Sequence, residues 1–336
     1  MADRGVAKMQ YSEYKVPSEC HEVAKALLGS QNVLIVPHIN IDGDDLGSMV
    51  ACAEVLKQLH KSCYLYSPDG TPEMFQFIEG TKDIKISLPA EAHFDTVLVL
   101  ECPQLSRLPE GLDIAKVADK VINIDHHPIN NLPADFTWID ASFCALGEML
   151  YFLFKEMDVE PNRPIAEALY TSIVSDSGSF RYPSTSARTH LVAAHLLNIL
   201  GDISYIHNAI FSSRTFADLR LQSLAMDTLR LHSQGRLVTA SLTQEMLLEC
   251  GLDEKDTQQL IAQLNVVRGS QIFALFKSTQ PDRVRISLRS RKIPINNLAA
   301  SHGGGGHALA AACSLEGVSL EEAYSIVLPE LEALLP

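Results

Sequence analysis

Three short, predominantly apolar runs constrain most of what this chain can become: VLIV at 33–36, TVLVL at 96–100 and VINI at 121–124. Strands buried on both faces read this way, because neither side of the sheet meets water. CYLY at 63–66 is a further strand of this kind, and LGSMVACAEVLKQLH between the first two strands has the pattern of an amphipathic helix. Helices are also predicted over 144–157 and 164–174. Strand and helix in alternation predict an α/β fold, with an N-terminal parallel sheet carrying helices on both faces.

The pattern changes further on. Residues 186–231 read as mostly helical, and LVTASL, IFALF, VRISL and ALAAACSLE then read as strands. A closing helix is predicted from Ser319, its N-cap, through LEEAYSIVLPELEALL, with a kink at Pro329. A chain of 336 residues has room for two domains. The expected division is a catalytic domain over 1–190, a helical connector over 191–217 and a smaller α/β domain over 218–336.

The residues just beyond each apolar run carry the chemistry. VLIV leads into His38, Asp42 and Asp44, TVLVL into Glu101, and VINI into Asp125, His126 and His127. In open parallel sheets ligands bind beyond the carboxyl ends of the strands, so these segments meet at one rim. Asp176, in the Ser/Gly-rich stretch SDSGSF, is placed in a loop after a helix and joins them. Clustered carboxylates repel one another unless a cation intervenes. Mixed carboxylate and imidazole donors suit Mn²⁺, with Mg²⁺, Fe²⁺, Co²⁺ or Zn²⁺ as alternatives. Six side chains with bridging carboxylates fit two divalent metals roughly 3.5–4 Å apart, an arrangement suited to phosphoester hydrolysis. His127 remains over and is placed to donate a proton or hydrogen bond to the leaving group.

A second constellation is SHGGGGHALAAAC at 301–313. Gly303, Gly304, Gly305 and Gly306 permit close backbone approach, and successive N–H groups there form an anion nest. His302 and His307 flank it. Upstream, Arg268, Lys277, Arg283, Arg285, Arg289, Arg291 and Lys292 face a single acid, Asp282. Arg285 and Arg289 share one strand face. Together these residues read as a phosphate and base clamp.

The formal net charge of −14 argues against wrapping long duplex nucleic acid. It leaves room for short anionic ligands held by metals and a local basic patch. Seven cysteines without a C-x-x-C pair predict a reducing cytoplasm. The N-terminal stretch lacks the apolar core of a signal peptide, and no segment is long and apolar enough to span a bilayer.

The triplet Asp125-His126-His127 resembles the one that gives the DHH phosphoesterase family its name. HINIDGDDLGS at 38–48 resembles the family's first motif, VLECP the second, and SDSGSFRYPST the fourth. SLRS at 287–290, followed by GGGGH, is similar to the DHH-associated C-terminal domain. Order and length are most similar to the subfamily of cytoplasmic nano-RNases and adenosine 3′,5′-bisphosphate phosphatases. The resemblance implies that His38, Asp42, Asp44, Glu101, His126 and Asp176 hold metal, with Asp176 contacting both ions. It implies that Asp125 orients an imidazole while His127 faces the scissile phosphate. Arg289 and His307 would hold the substrate's other end, with Arg285, Ser290, His302 and the glycines around them. Glu101 stands where the family usually has Asp, Ala312 where it usually has Gly, and Asp45 adds an acid.

The implied activity is hydrolysis of oligoribonucleotides of about two to five nucleotides to nucleoside monophosphates, with 3′-phosphatase action on adenosine 3′,5′-bisphosphate. A cyclic-dinucleotide phosphodiesterase, also acting on linear dinucleotide products, is the alternative enzyme. A nucleotide-binding sensor is the non-enzymatic alternative. The native metal, the polarity of digestion and the choice between monomer and homodimer stay open.

Overall fold

A computed structural model describes residues 15–253, 257 and 260–336. It divides into two compact units, the first ending at Ser213 and the second beginning at Arg214.

In the first unit the elements run α1 (Ser18–Gly29), β1 (Asn32–Val36), α2 (Gly43–Gln58), β2 (Ser62–Leu65), β3 (Thr96–Leu100), α3 (Ile114–Val117), β4 (Val121–Asp125), β5 (Phe136–Ile139), α4 (Leu146–Glu156), α5 (Arg163–Asp176), α6 (Ala187–Leu200) and α7 (Ser204–Phe211). The strands form a parallel sheet in the order β2-β1-β3-β4-β5. Every residue of β3 and β4 is buried. Val33, Ile35, Leu98, Leu100, Ile122 and Ile124 point into a core shared with α1, α2, α4 and α5. Leu34, Val36, Val97, Val99 and Val121 pack on the opposite face against Phe94, Leu108, Leu132 and α3. The alternation along each strand explains why both faces needed apolar residues.

Two features of this unit place the site. α2 lies so close to α5 that a Cβ on Gly47 would sit 2.4 Å from the Ala168 carbonyl oxygen, which only glycine permits. α5 also runs further than its apolar pattern suggests. It ends at Asp176, so that residue is the last of a helix and not part of the loop expected for it. Just beyond its end, Gly178, Ser179 and Phe180 all adopt positive φ, so the helix cannot continue.

The second unit contains α8 (Phe216–Asp227), β6 (Arg230–His232), β7 (Leu237–Thr243), α9 (Gln244–Cys250), α10 (Leu260–Leu264), β8 (Ile272–Gln280), β9 (Arg283–Ser290), α11 (Asn296–Ser301), β10 (Gly305–His307), β11 (Ala310–Glu316) and α12 (Leu320–Ala333). Its mixed sheet has the order β10-β11-β9-β8-β7-β6, with β7 and β8 parallel. α11 and α12 cover one face, and α8, α9 and α10 the other. Ser319 caps α12 through a reciprocal pair with Glu322. α12 continues through Pro329 to Ala333, where a kink is expected. Ala323 and Val327 before the proline and Leu331 after it are all fully buried, which anchors the helix on both sides. Among the described residues no helix is long and apolar enough to cross a membrane.

Candidate metal centre

The loop between β1 and α2 carries the first group of donors. Asp42 N-caps α2, accepting the Asp44 N–H at 2.9 Å and the Asp45 N–H at 3.2 Å, and Asp45 accepts the Asp42 N–H in return at 3.3 Å. The extra acid of the first motif is thus half of a capping box. The loop is tied down from two sides. Asp69 Oδ2 accepts both the Asn40 N–H (2.6 Å) and the Ile41 N–H (3.1 Å), and the Arg107 carbonyl accepts the Ile39 N–H (2.8 Å). His38 Nδ1 lies 2.8 Å from the Ile39 carbonyl oxygen and 3.3 Å from Asp45 Oδ2.

Asp44 is fully buried, and its two oxygens have different surroundings. Oδ1 accepts from the Gly147 N–H at 3.2 Å and from the hydroxyls of Ser172 and Ser48. Oδ2 accepts the Leu146 N–H at 2.7 Å and faces His126 Nε2 at 3.6 Å. Asp44 therefore supplies the start of α4 with an acceptor, since Ala145 at the N-cap has none.

His126 Nε2 is the convergence point. It lies 3.3 Å from Glu101 Oε1 and 3.6 Å from Asp176 Oδ2, as well as facing Asp44. The neighbouring His127 turns to Asp125, whose Oδ1 accepts from its Nδ1 at 2.7 Å and its main-chain N–H at 2.9 Å. Asn130 donates to the other Asp125 oxygen at 2.7 Å. Glu101 reaches the site from a backbone at φ 54°, a region that costs a side-chain-bearing residue roughly 1–2 kcal/mol.

Among the described residues, three groups of side chains have ligand atoms within 4.8 Å of one another: Glu101, His126 and His127; His38, Asp42 and Glu101; and Asp44, His126 and Asp176. All six side chains expected to hold metal are among them. His127, expected to face substrate, falls in the first group as well.

The electrostatics fit a cation. Burial pushes Glu101 well above the usual carboxylate range, and Asp44, Asp42, Asp176 and Asp125 push it further. Burial and the neighbouring Asp44 raise Asp176 to about 7, although 37% of its side chain is exposed. Burial also raises Asp44 and Asp45. His126 is raised despite burial, because Asp44, Asp176 and Asp125 surround it. Asp125 is the exception: burial opposes its charge, but hydrogen bonding and attraction from His127 outweigh it and hold the carboxyl low. Glu101 Oε2 is buried with no hydrogen-bond donor. Such an orphaned oxygen is costly unless a cation takes it up. The donor set therefore fits a divalent metal.

The second unit holds the other expected residues on β9, β10 and the turns beside them. Arg285 is exposed and Arg289 half-buried on β9. The Ser290 hydroxyl accepts the Ile293 N–H at 2.9 Å. His302 pairs with Glu330 of α12 at 2.7 Å. The glycine run is not the open loop its composition suggests, because Gly305 and Gly306 pair with Ala312 and Ala311 in a hairpin that includes His307. A Cβ on Gly304 would meet the Ala312 carbonyl oxygen at 2.1 Å, so tight backbone packing accounts for part of the run.

Asp69, Arg107 and Asn130 do not stand out in the sequence. Asn130 even closes the stretch VINIDHHPIN, but nothing in that pattern marks it as a partner of Asp125.

Residues 32–173 match the model of the DHH family N-terminal domain, and 235–333 match the DHHA1 domain. The bifunctional oligoribonuclease and PAP phosphatase NrnA of Thermus thermophilus is 31% identical over 311 residues, covering 91% of this chain and 90% of its own length. The protein of the same name from Bacillus subtilis is 26% identical over 319 residues, covering 93% and 97%. A crystal structure of an exopolyphosphatase-related protein from Bacteroides fragilis shares the fold, with a TM-score of 0.88 at 22% identity over 96% of this chain and 99% of its own. The match of both domains in order, together with relatives aligned over nine-tenths of the chain, means that this protein belongs to the DHH family and is a phosphoesterase.

Proposed function

We propose that the protein hydrolyses very short oligoribonucleotides to nucleoside monophosphates and removes the 3′-phosphate of adenosine 3′,5′-bisphosphate, using two divalent ions, preferably Mn²⁺. One observation carries the reading of paired ions. The three donor groups overlap, with Glu101 shared by two and His126 shared by two. Overlapping groups with a shared carboxylate are what adjacent, bridged ions need. The choice of substrate is supported by the names of the relatives from T. thermophilus and B. subtilis.

In this reading His38, Asp42 and Glu101 would hold one ion, and Asp44, His126 and Asp176 the other. Such ions, when bound, supply Lewis-acid stabilisation of phosphoryl charge and an activated water. With both ring nitrogens protonated, His127 would give its Nδ1–H to Asp125 and its Nε2–H to the leaving oxygen. Asp44 contributes through Oδ2 alone, since three donors already occupy Oδ1. In the second unit Arg285, Arg289, Ser290 and the 302–307 segment bind the substrate's phosphates and bases. The acidic balance of the whole chain turns long duplexes away.

Hydrolysis of a 5′-labelled RNA length series with Mn²⁺ tests this, with His127→Ala, Asp176→Ala and Arg289→Ala beside the wild type. Adenosine 3′,5′-bisphosphate and a cyclic dinucleotide complete the panel. Rapid cleavage of the shortest RNAs, loss of turnover in the first two variants and a raised KM in the third are expected. Faster cleavage of the cyclic dinucleotide would replace the substrate assignment. Nucleotide binding without turnover under any divalent ion would overturn catalysis.

A further inference from the structure

Between β5 and α4 the chain passes over the imidazole of His126. The Phe143 carbonyl oxygen lies 3.4 Å from His126 Nδ1, and donation there leaves Nε2 to face Glu101, Asp44 and Asp176. A few residues later in the same passage, the N–H groups of Leu146 and Gly147 hold Asp44. The segment 142–147 is thus a strap that sets the ring of one donor and the carboxylate of another.

Two charged residues grip the strap. Glu148 is fully buried. Its Oε2 accepts the Cys144 N–H at 3.1 Å and the Thr189 hydroxyl at 3.0 Å, and its Oε1 accepts Arg188 Nε–H at 2.7 Å. Arg188 Nη2 donates to the Ser142 carbonyl at 2.8 Å, and its guanidinium lies 3.6 Å from the centre of the Phe143 ring. The strap is therefore fastened at Ser142, Phe143 and Cys144 by side chains from α4 and α6.

A buried ion pair is poor evidence of net stabilisation, because desolvation offsets the attraction. Its geometric demands are another matter. A planar guanidinium that bonds Glu148 and Ser142 while stacking on Phe143 admits few arrangements. We infer that the Glu148–Arg188 pair positions the metal centre, acting through the strap to fix the tautomer and aim of His126 and the orientation of Asp44. This rests on the assignment of Asp44 and His126 as metal ligands. Both residues of the pair are positioning residues.

Metal-stripped wild type, Arg188→Ala, Arg188→Lys, Glu148→Gln and His126→Ala should be titrated with Mn²⁺ by calorimetry. Melting temperatures without metal and ¹⁵N shifts of the His126 ring complete the measurement. We expect Arg188→Ala and Glu148→Gln to weaken Mn²⁺ binding by about 10–100-fold, with kcat falling more than KM for short RNA at saturating Mn²⁺. At a pH high enough to keep the ring neutral, His126 should change from one tautomer to a mixture. Arg188→Lys should recover part of the affinity, since it keeps the charge but loses the fork and the flat stack. If Arg188→Ala does not fold, the lysine and glutamine variants carry the test. Lower melting temperatures with unchanged Mn²⁺ affinity and an unchanged tautomer would overturn the inference and leave the pair purely structural. If His126→Ala binds Mn²⁺ as wild type does, the ligand assignment itself falls.

Discussion

Asp125 Oδ1 accepts two hydrogen bonds from the same residue, His127, one from its ring at 2.7 Å and one from its main chain at 2.9 Å. Backbone and imidazole are thereby locked to one carboxylate oxygen. Asn130 secures the other oxygen, and it also donates to the Cys102 carbonyl at 3.2 Å. Asp125→Asn removes the charge and substitutes a donor for one acceptor. Turnover of short RNA should fall about 10–100-fold while the melting temperature changes little. Steady-state kinetics with saturating Mn²⁺ and a thermal melt check this; a loss confined to KM would assign Asp125 to substrate binding instead.

Glu101 offers a second test, because its left-handed backbone suits a shorter acid. Aspartate enters this region more readily than glutamate. Glu101→Asp should hold or raise the melting temperature of the metal-free protein. Its carboxylate, however, withdraws from His126 Nε2, now 3.3 Å from Oε1. Mn²⁺ affinity should drop about tenfold, as calorimetric titration would read. Unchanged affinity would mean that the longer side chain is not used to reach the ions.

The raised carboxyls give a pH dependence with a definite sign. Asp176 moves from its ordinary value of 3.8 to about 7 in the folded protein, so between those values the folded state binds more protons than the unfolded one. Metal-free protein should therefore lose stability as pH rises from about 4 to about 7. Glu101 acts in the same direction. Divalent metal should reverse the trend, with affinity increasing over this range and protons released on binding. Melts at about pH 5 and about pH 7.5, on either side of the Asp176 transition, check both halves when run with and without Mn²⁺. A metal-free protein more stable at the higher pH would contradict the prediction.

Asp69 holds the first loop through one oxygen, which makes asparagine an informative substitute. Asp69→Asn retains an acceptor for the Asn40 and Ile41 N–H groups and should keep near-wild-type Mn²⁺ affinity. Asp69→Ala leaves both donors to water, and each net hydrogen bond is worth about 0.5–1.5 kcal/mol. Its affinity should fall about tenfold. Equal losses in the two variants would indicate that the charge, not the hydrogen bonds, matters.

The sheet and the donors at its rim are legible for one reason. Buried parallel strands appear as continuous apolar runs, so the residue that ends each run stands out, as Glu101 does after TVLVL. β5 escapes such a reading because Thr137 interrupts its apolar residues and only Trp138 of its four residues is buried. Asp176 can be picked out but not placed, since serine and glycine around it suggest a loop while its backbone is still helical. The supporting partners are out of reach. Asp44 meets Leu146 across 102 residues of sequence, and Glu148 meets Arg188 across 40, with no local pattern to link them. Asp45 is visible as a surplus acid, but its role depends on a helix start that only the folded chain reveals.

Asp44 fills its own hydrogen-bonding needs from Leu146, Gly147, Ser172 and Ser48 without help from an ion. Helix, carboxylate and serines complete one another within the polypeptide. Asp44 therefore needs no ion to hold its place as the chain folds. Whatever divalent ion the surroundings supply would meet this donor already aimed.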